Sequence, residues 1–264
     1  GDSVQRTKVG GVEIVALVDN IAPYAAASVY PEAGAALDAY AHYFDAEGRV
    51  ALNFGCFLVV DGETRLLVDT GWGPEHDGRL PDELAEAGVD RDSVTHVLFT
   101  HLHGDHTGWN IDRATGKPLF AKARYLVPKA DWEHYGARDS ASFARDVVPL
   151  ERAGQMDLVE GDHIISRALV TVATPGHTPG HTSVAITSGD EHGFILGDVV
   201  ISPADTERPD FQNSFDWDHD IARRTRETTL ARARSRAALV GASHLPAPGL
   251  GRFTPRWEPL ADNR

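Results

Sequence analysis

Thr100-His101-Leu102-His103-Gly104-Asp105-His106 follows directly on the apolar run 94–99. Four of these side chains, His101, His103, Asp105 and His106, are able to bind metal. The run has the length and β-branched content of a buried strand, which would stop at Thr100 and present the next residues at its C-terminal end. Two imidazoles spaced i, i+2 on an extended backbone point the same way. Asp105 and His106 lie beyond Gly104, which permits a sharp bend. One ion rarely draws four ligands from so short a loop. Two ions, with His101 and His103 on one and Asp105 and His106 on the other, use all four. A His-rich surface loop is the plain alternative, and the constrained spacing argues against it.

The same pattern, a strand ending in a metal-capable side chain, recurs along the chain. Residues 54–60, the turn Asp61-Gly62 and residues 64–68 read as a hairpin that ends in Asp69-Thr70-Gly71. A strand at 168–173 leads into Thr174-Pro175-Gly176-His177-Thr178-Pro179-Gly180-His181, where Pro and Gly expose two competing His residues. A hairpin at 183–187 and 193–196 ends in Gly197-Asp198, and a short strand at 237–240 delivers Ser243-His244.

Around these lie plainer elements. Residues 8–18 read as an opening strand or hairpin. Residues 19–53 are less regular, with short helices at 25–27 and 33–41 broken by Pro23 and Pro31; they read as an insertion or lid. Their aromatics Tyr24, Tyr30, Tyr40, Tyr43 and Phe44 read as core or rim rather than catalytic. Helices are expected at 81–88, 129–136, 140–151 and 218–236, and further strands at 123–127, 156–159 and 252–257. Trp132 and Phe143 should lie on inner faces. Residues 202–218 read as a loop that shapes a pocket. Arg223, Arg224, Arg226, Arg232, Arg234 and Arg236 read as a mostly solvated helix face.

Composition bounds the function classes. The chain has 264 residues, 42% of them hydrophobic, enough for a sizeable core in one large domain. Asp and Glu number 39 against 25 Lys and Arg, a formal net charge of -14, which argues against nucleic-acid binding. No apolar run approaches the roughly 20 residues needed to span a bilayer, so no membrane partner is expected. Cys56, the one cysteine, sits among apolar residues and reads as a buried structural thiol. A cytoplasmic location is expected. The start at Gly1 is also compatible with a removed signal peptide.

His-x-His-x-Asp-His after a strand resembles the metallo-β-lactamase superfamily of metal-dependent hydrolases, and the later motifs extend the match over residues 55–250. The resemblance implies an α/β fold, a four-layer αββα sandwich, as a single domain over 1–264 with 19–53 as the insertion or lid. It implies that Asp69 orients a ligand by hydrogen bonding. The superfamily pattern Gly-His-Thr-x-Gly matches His177 as ligand and leaves His181 as a structural neighbour; spacing alone leaves the reverse open. The implied set is His101, His103 and His177 on one ion, Asp105, His106 and His244 on the second, and Asp198 as the bridge. A thiolate-free set of this kind suits two divalent ions, Zn first, with Fe, Mn or Co also compatible.

The implied chemistry is attack by a metal-bridging hydroxide, with Asp105 and Asp198 as the catalytic carboxylates. A small-molecule substrate is the expected partner, and a homodimer is compatible with the chain. Asp198 stands where one β-lactamase class has Cys, and His103 where the flavin-linked di-iron reductases have Glu. The remaining likeness, carried by Ser243-His244-Leu245-Pro246-Ala247-Pro248-Gly249 and the N-terminal insertion, is to N-acyl homoserine lactonases and methyl parathion hydrolase. Several lactonases of that group carry Tyr three residues after the bridging Asp, whereas this chain has Ile201. An aromatic pocket of Trp72, Trp109, Phe211 and Phe215 would favour an uncharged lactone or ester. An organophosphate triesterase, an atypical β-lactam hydrolase and a non-catalytic metal-binding protein are the alternatives.

Overall fold

The computed structural model of the protein describes residues 4–261, and its strands coincide with the short apolar runs. One sheet has seven strands in chain order: β1 (Gln5–Val9), β2 (Val12–Ala25), β3 (Arg49–Asp61), β4 (Thr64–Val68), β5 (His96–Leu98), β6 (Arg124–Pro128) and β7 (Met156–Val159). Its first four strands pair antiparallel and β4 to β7 pair parallel. The second sheet holds β8 (Leu169–Ala173), β9 (Thr182–Ser188), β10 (Glu191–Ile195), β11 (Leu239–Gly241), β12 (Leu250–Phe253) and β13 (Trp257–Pro259), again neighbours in chain order. The helices are α1 (Ala26–Val29), α2 (Leu80–Glu86), α3 (Lys129–Gly136), α4 (Ala141–Asp146), α5 (Val148–Arg152), α6 (Pro203–Glu207) and α7 (His219–Ser235).

Strands buried on both faces need apolar side chains in both directions. In β4, Leu66 and Val68 face the second sheet and pack with Phe57, Val184, Ile186 and Ile195. Leu67 points the other way, into a layer with Leu80 and Leu84 of α2, Phe143 of α4 and Leu150 of α5. On the far side, Leu230 and Ala233 of α7 pack on Phe194, Leu196 and Val240 of the second sheet. The result is helix, sheet, sheet, helix, the layering the sequence led us to expect. Cys56 is fully buried in the first helix–sheet layer, as a structural thiol should be. Among the described residues no helix is long and apolar enough to cross a membrane.

Three local expectations are corrected. The ends of the segment 19–53 are regular strand: β2 runs on through Pro23 to Ala25, and β3 begins at Arg49. Proline is tolerated there because β1 pairs with β2 only as far as Ala16, which leaves the proline's side of β2 without a ladder. Second, residues 202–218 are not all loop. Ser202 accepts a hydrogen bond from Ala204 N–H and Pro203 opens α6, a favourable helix start. Third, Arg226 is only 1% exposed. Ala222, Arg226, Leu230 and Ala233 recur at helical spacing on the inward face of α7, so Arg226 is carried inside while Arg223 and Arg224 stay in solvent.

Candidate metal centre

Every metal-capable side chain singled out in the sequence arrives at one edge of the sandwich. His101 and His103 follow β5, His177 follows β8, Asp198 follows β10 and His244 follows β11. Gly104, Asp105 and His106 form a single 3-10 turn. Two groups of donor atoms result, His101/His103/His177 and Asp105/His106/Asp198/His244, each within 4.8 Å of one another. Asp198 Oδ2 reaches both groups: it lies 3.1 Å from His177 Nε2, 3.4 Å from His101 Nε2, 3.2 Å from His106 Nε2 and 3.0 Å from His244 Nε2. Gly197 lets this carboxylate approach, because its φ is +57° and a Cβ there would lie 2.7 Å from His181 Nε2 and from Thr100 Cβ.

The imidazoles are oriented from behind. His106 Nδ1 donates to Asp69 Oδ2 at 2.7 Å, His177 Nδ1 to Asp216 Oδ1 at 2.7 Å, and His244 Nδ1 to Asn53 O at 2.6 Å. His101 Nδ1 donates to Thr100 Oγ1 at 2.9 Å, whose own proton goes to Asp69 Oδ2 at 2.8 Å. These acceptors fix the tautomers, so four Nε2 lone pairs converge on Asp198. His101 Nε2 and Asp198 Oδ1 are buried without a hydrogen bond among the described residues. Buried imidazole nitrogens converging on one carboxylate, two of these atoms without a partner, are a donor set that fits divalent cations.

His181 is different. Its Nε2 accepts from Asp198 N–H at 3.0 Å and its Nδ1 donates to Thr174 Oγ1 at 2.9 Å, so both ring nitrogens are spent inside the fold. The structure thus places His177 in the cluster and His181 behind it. Gly176 sets this geometry: a Cβ there would lie 2.3 Å from Ala222 Cα in α7.

Charge in the cluster is strongly redistributed. Burial disfavours the charged carboxylates of Asp105 and Asp198, yet the surrounding His106 and His244 hold both well below the usual range. Burial likewise opposes charge on His177, but Asp198 and Asp216 push it up to about 9. His244 is driven up to about 10 against burial by Asp198 and Asp105. His103 falls to about 4 through burial and the neighbouring His177. The carboxylates therefore draw positive charge into this pocket, which is the electrostatic requirement of a cation site.

Three carboxylates that brace the site were not among the residues singled out in the sequence. Asp131, on α3, accepts from Leu102 N–H at 3.0 Å, Thr178 Oγ1 at 2.9 Å and Gly180 N–H at 2.6 Å, and so ties the two His loops together. Asp216 joins His177 to the buried Arg226, whose Nη2 lies 3.0 Å from Asp216 Oδ2. Asp19 holds the turn after Asp69 by accepting from Trp72 N–H at 2.8 Å and Leu80 N–H at 2.8 Å. A lone acid between apolar neighbours, as in Ala130-Asp131-Trp132, is the one hint the sequence offered for any of them.

The cluster floors a cavity of about 370 Å³. Its walls are Tyr24, Leu52, Phe54, Trp72, Ile201 and Phe215, with no Lys or Arg. Trp72 and Phe215 are where the sequence placed them. Trp109 and Phe211 are not. Trp109 packs into the helix–sheet layer and donates its indole N–H to Asp19 Oδ1 at 2.8 Å. Phe211 is buried against Tyr30 and Tyr40, because α6 folds it beneath the 34–43 turn. Phe54, stacked on Trp72 at 4.5 Å, and Tyr24 take up the wall instead.

Comparison with known proteins agrees with this geometry. Residues 56–244 match the metallo-β-lactamase superfamily model. The metallo-β-lactamase domain-containing protein 1 of Xenopus laevis is 32% identical over 79% of this chain and 72% of its own length. The lactamase-like protein notP of Aspergillus sp. (strain MF297-2) is 34% identical over 55% of this chain, but the chain spans only 38% of that protein's length. Among solved structures, AidC, described as a dizinc quorum-quenching lactonase in complex with a product, superposes with a TM-score of 0.87 at 25% identity, covering 99% of this chain and 98% of AidC. Motif, layering and these likenesses agree, and the chain belongs to the metallo-β-lactamase superfamily of metal-dependent hydrolases.

Proposed function

We propose that the protein is a dinuclear hydrolase that opens the carbonyl ester bond of a small, mostly uncharged lactone or ester. The observation that carries this reading is the convergence of four Nε2 lone pairs on Asp198 at the floor of an apolar cavity. In this reading His101, His103 and His177 hold one divalent ion, Asp105, His106 and His244 the other, and Asp198 lies between them. Zn is the first candidate, with Fe, Mn and Co compatible with the same donors. When bound, such ions supply Lewis acidity that activates water near neutral pH and polarises the carbonyl.

The protein's own groups do the rest. Asp105 is the more open of the two cluster carboxylates, its side chain 23% exposed against 3% for Asp198. It is placed to take a proton from attacking water and return it to the departing alkoxide. Leu52, Phe54, Trp72 and Phe215 line the cavity with apolar surface that favours a hydrocarbon substituent. No wall residue offers a cation to an anionic substrate, which disfavours β-lactams bearing a carboxylate. AidC, similar over nearly the whole chain, is described as a lactonase, which supports the same substrate class.

The test is metal content per chain together with turnover of an acylated γ-lactone, an aryl ester, a phosphotriester and a cephalosporin. Near two ions with the lactone or ester preferred is the expected result. A preferred phosphotriester or cephalosporin would overturn the substrate class. One ion or none after reconstitution with Zn, Mn and Fe would overturn the dinuclear assignment.

A further inference from the structure

We infer that Tyr24 is the substrate-contacting hydroxyl of this site, donating a hydrogen bond to the carbonyl oxygen as negative charge develops there. The inference rests on the hydrolase reading above for its substrate class, and on the cavity for its geometry. Once the cluster is set aside, the side chains that line the cavity carry two polar hydrogens, the Tyr24 hydroxyl and the Trp72 indole N–H. Trp72 is sandwiched flat between Phe54 at 4.5 Å and His76 at 4.0 Å, an arrangement that serves packing. Tyr24 is only half-buried, and its hydroxyl has no hydrogen-bond partner among the described residues. Folding therefore leaves that donor unused, at the wall of a cavity that also opens onto Asp105 and Asp198.

The ring is nonetheless held. Tyr24 is the penultimate residue of β2, paired with Val50 of β3, and its ring meets Phe215 edge-on at 6.3 Å and 88°. Its position is thus set by the hairpin on one side and by the 202–218 segment on the other. Partial burial and the Asp105 carboxylate both raise the phenol above its ordinary value of 10.0. It stays protonated at neutral pH and is a donor rather than an acceptor. Ile201, three residues after Asp198, adds only a hydrocarbon side chain to the lining. A donor held in place at a mostly apolar wall stabilises a developing oxyanion more than it stabilises the resting carbonyl, so it acts more on kcat than on KM.

Tyr24→Phe keeps the ring and its contact with Phe215 and removes only the oxygen. Three readouts on the metal-loaded protein separate the possibilities: thermal stability, steady-state kinetics on the γ-lactone, and calorimetric binding of the matching acylated γ-lactam, whose amide resists opening. The expected result is unchanged stability, kcat lower by about 10²-fold, and KM and the lactam Kd rising together by no more than about tenfold. A wild type that hydrolyses the lactone with kcat and lactam affinity within about twofold of Y24F overturns the Tyr24 assignment and leaves the hydrolase reading intact. A wild type that hydrolyses nothing but binds the lactam in a Tyr24-dependent manner overturns the hydrolase reading and supports the assignment. Neither turnover nor lactam binding overturns both.

Discussion

Replacing Asp216 by Asn should cripple the His177 side of the cluster through a proton rather than through packing. Asp216 accepts from His177 Nδ1 at 2.7 Å with one oxygen and from Arg226 Nη2 at 3.0 Å with the other. Asn offers one oxygen and one NH2. Arg226 is a buried cation whose remaining donors go to the carbonyls of Val199 and Pro209, so it claims the oxygen. The amide NH2 then faces His177 Nδ1, which must become an acceptor. The ring proton moves to Nε2, the atom that points at Asp198, and the lone pair a metal ion needs is gone. Loss of such an outer partner costs about 10–100-fold in affinity, or about 1.4–2.8 kcal/mol. Separately, breaking a buried ion pair from one side costs metal-free stability, here about 3 kcal/mol because one hydrogen bond to Arg226 survives. Metal affinity by chelator competition and metal-free urea denaturation read the two effects independently. Wild-type affinity at both sites in D216N, whatever happens to its stability, would refute the tautomer argument.

Further outcomes follow from the same structure. His177→Ala should lose one metal equivalent, whereas His181→Ala should keep both ions yet lose about 2–3 kcal/mol of stability by stranding the buried Asp198 N–H and vacating the ring's volume. Metal content and denaturation of the two variants decide this, with the stability loss in His181→Ala resting on the Asp198 N–H and the vacated ring, since Thr174 Oγ1 keeps Ser183 Oγ at 2.8 Å; the opposite pattern would exchange their roles. Burial pushes the Asp205 carboxyl up to about 6 from an ordinary 3.8. The folded state then holds the extra proton between those values, so wild-type stability falls as pH rises through that window. Asp205→Asn does not titrate and should gain about 3 kcal/mol relative to wild type between about pH 4 and pH 7. A pH-independent difference in denaturation midpoints would rule this out.

Much of the architecture was readable from local pattern. The hairpin 54–68 with its Asp61-Gly62 turn, the helix opened by Asp218 and the apolar runs before His101, His177 and Asp198 all lie where alternation and turn residues put them. β2 beyond Asp19 was missed because Pro23 reads as a breaker, and only the missing ladder on one side of that strand makes it tolerable. Arg226 was misread because six arginines in one helix look like a solvated face, while helical phase sends this one inward to Asp216. Trp109 and Phe211 looked like pocket walls from their nearness in sequence to metal-capable residues, yet each turns into a separate layer.

The chemistry of the donor set is written into the linear chain: His-x-His-x-Asp-His after a strand is a local constraint, and local constraints survive without knowledge of the fold. Which donor faces the cavity is not local. His177 and His181 sit in near-identical Pro-Gly contexts, and they part only because Asp216 and Arg226 reach one while Thr174 and the Asp198 N–H occupy the other. Asp131 joins loops that are far apart in sequence, and Tyr24 meets Phe215 across most of the chain. Hydrogen-bond partners at such separations are chosen by how the two sheets stack and where the helices settle on them, so orientation and proton placement at the site belong to the packed molecule.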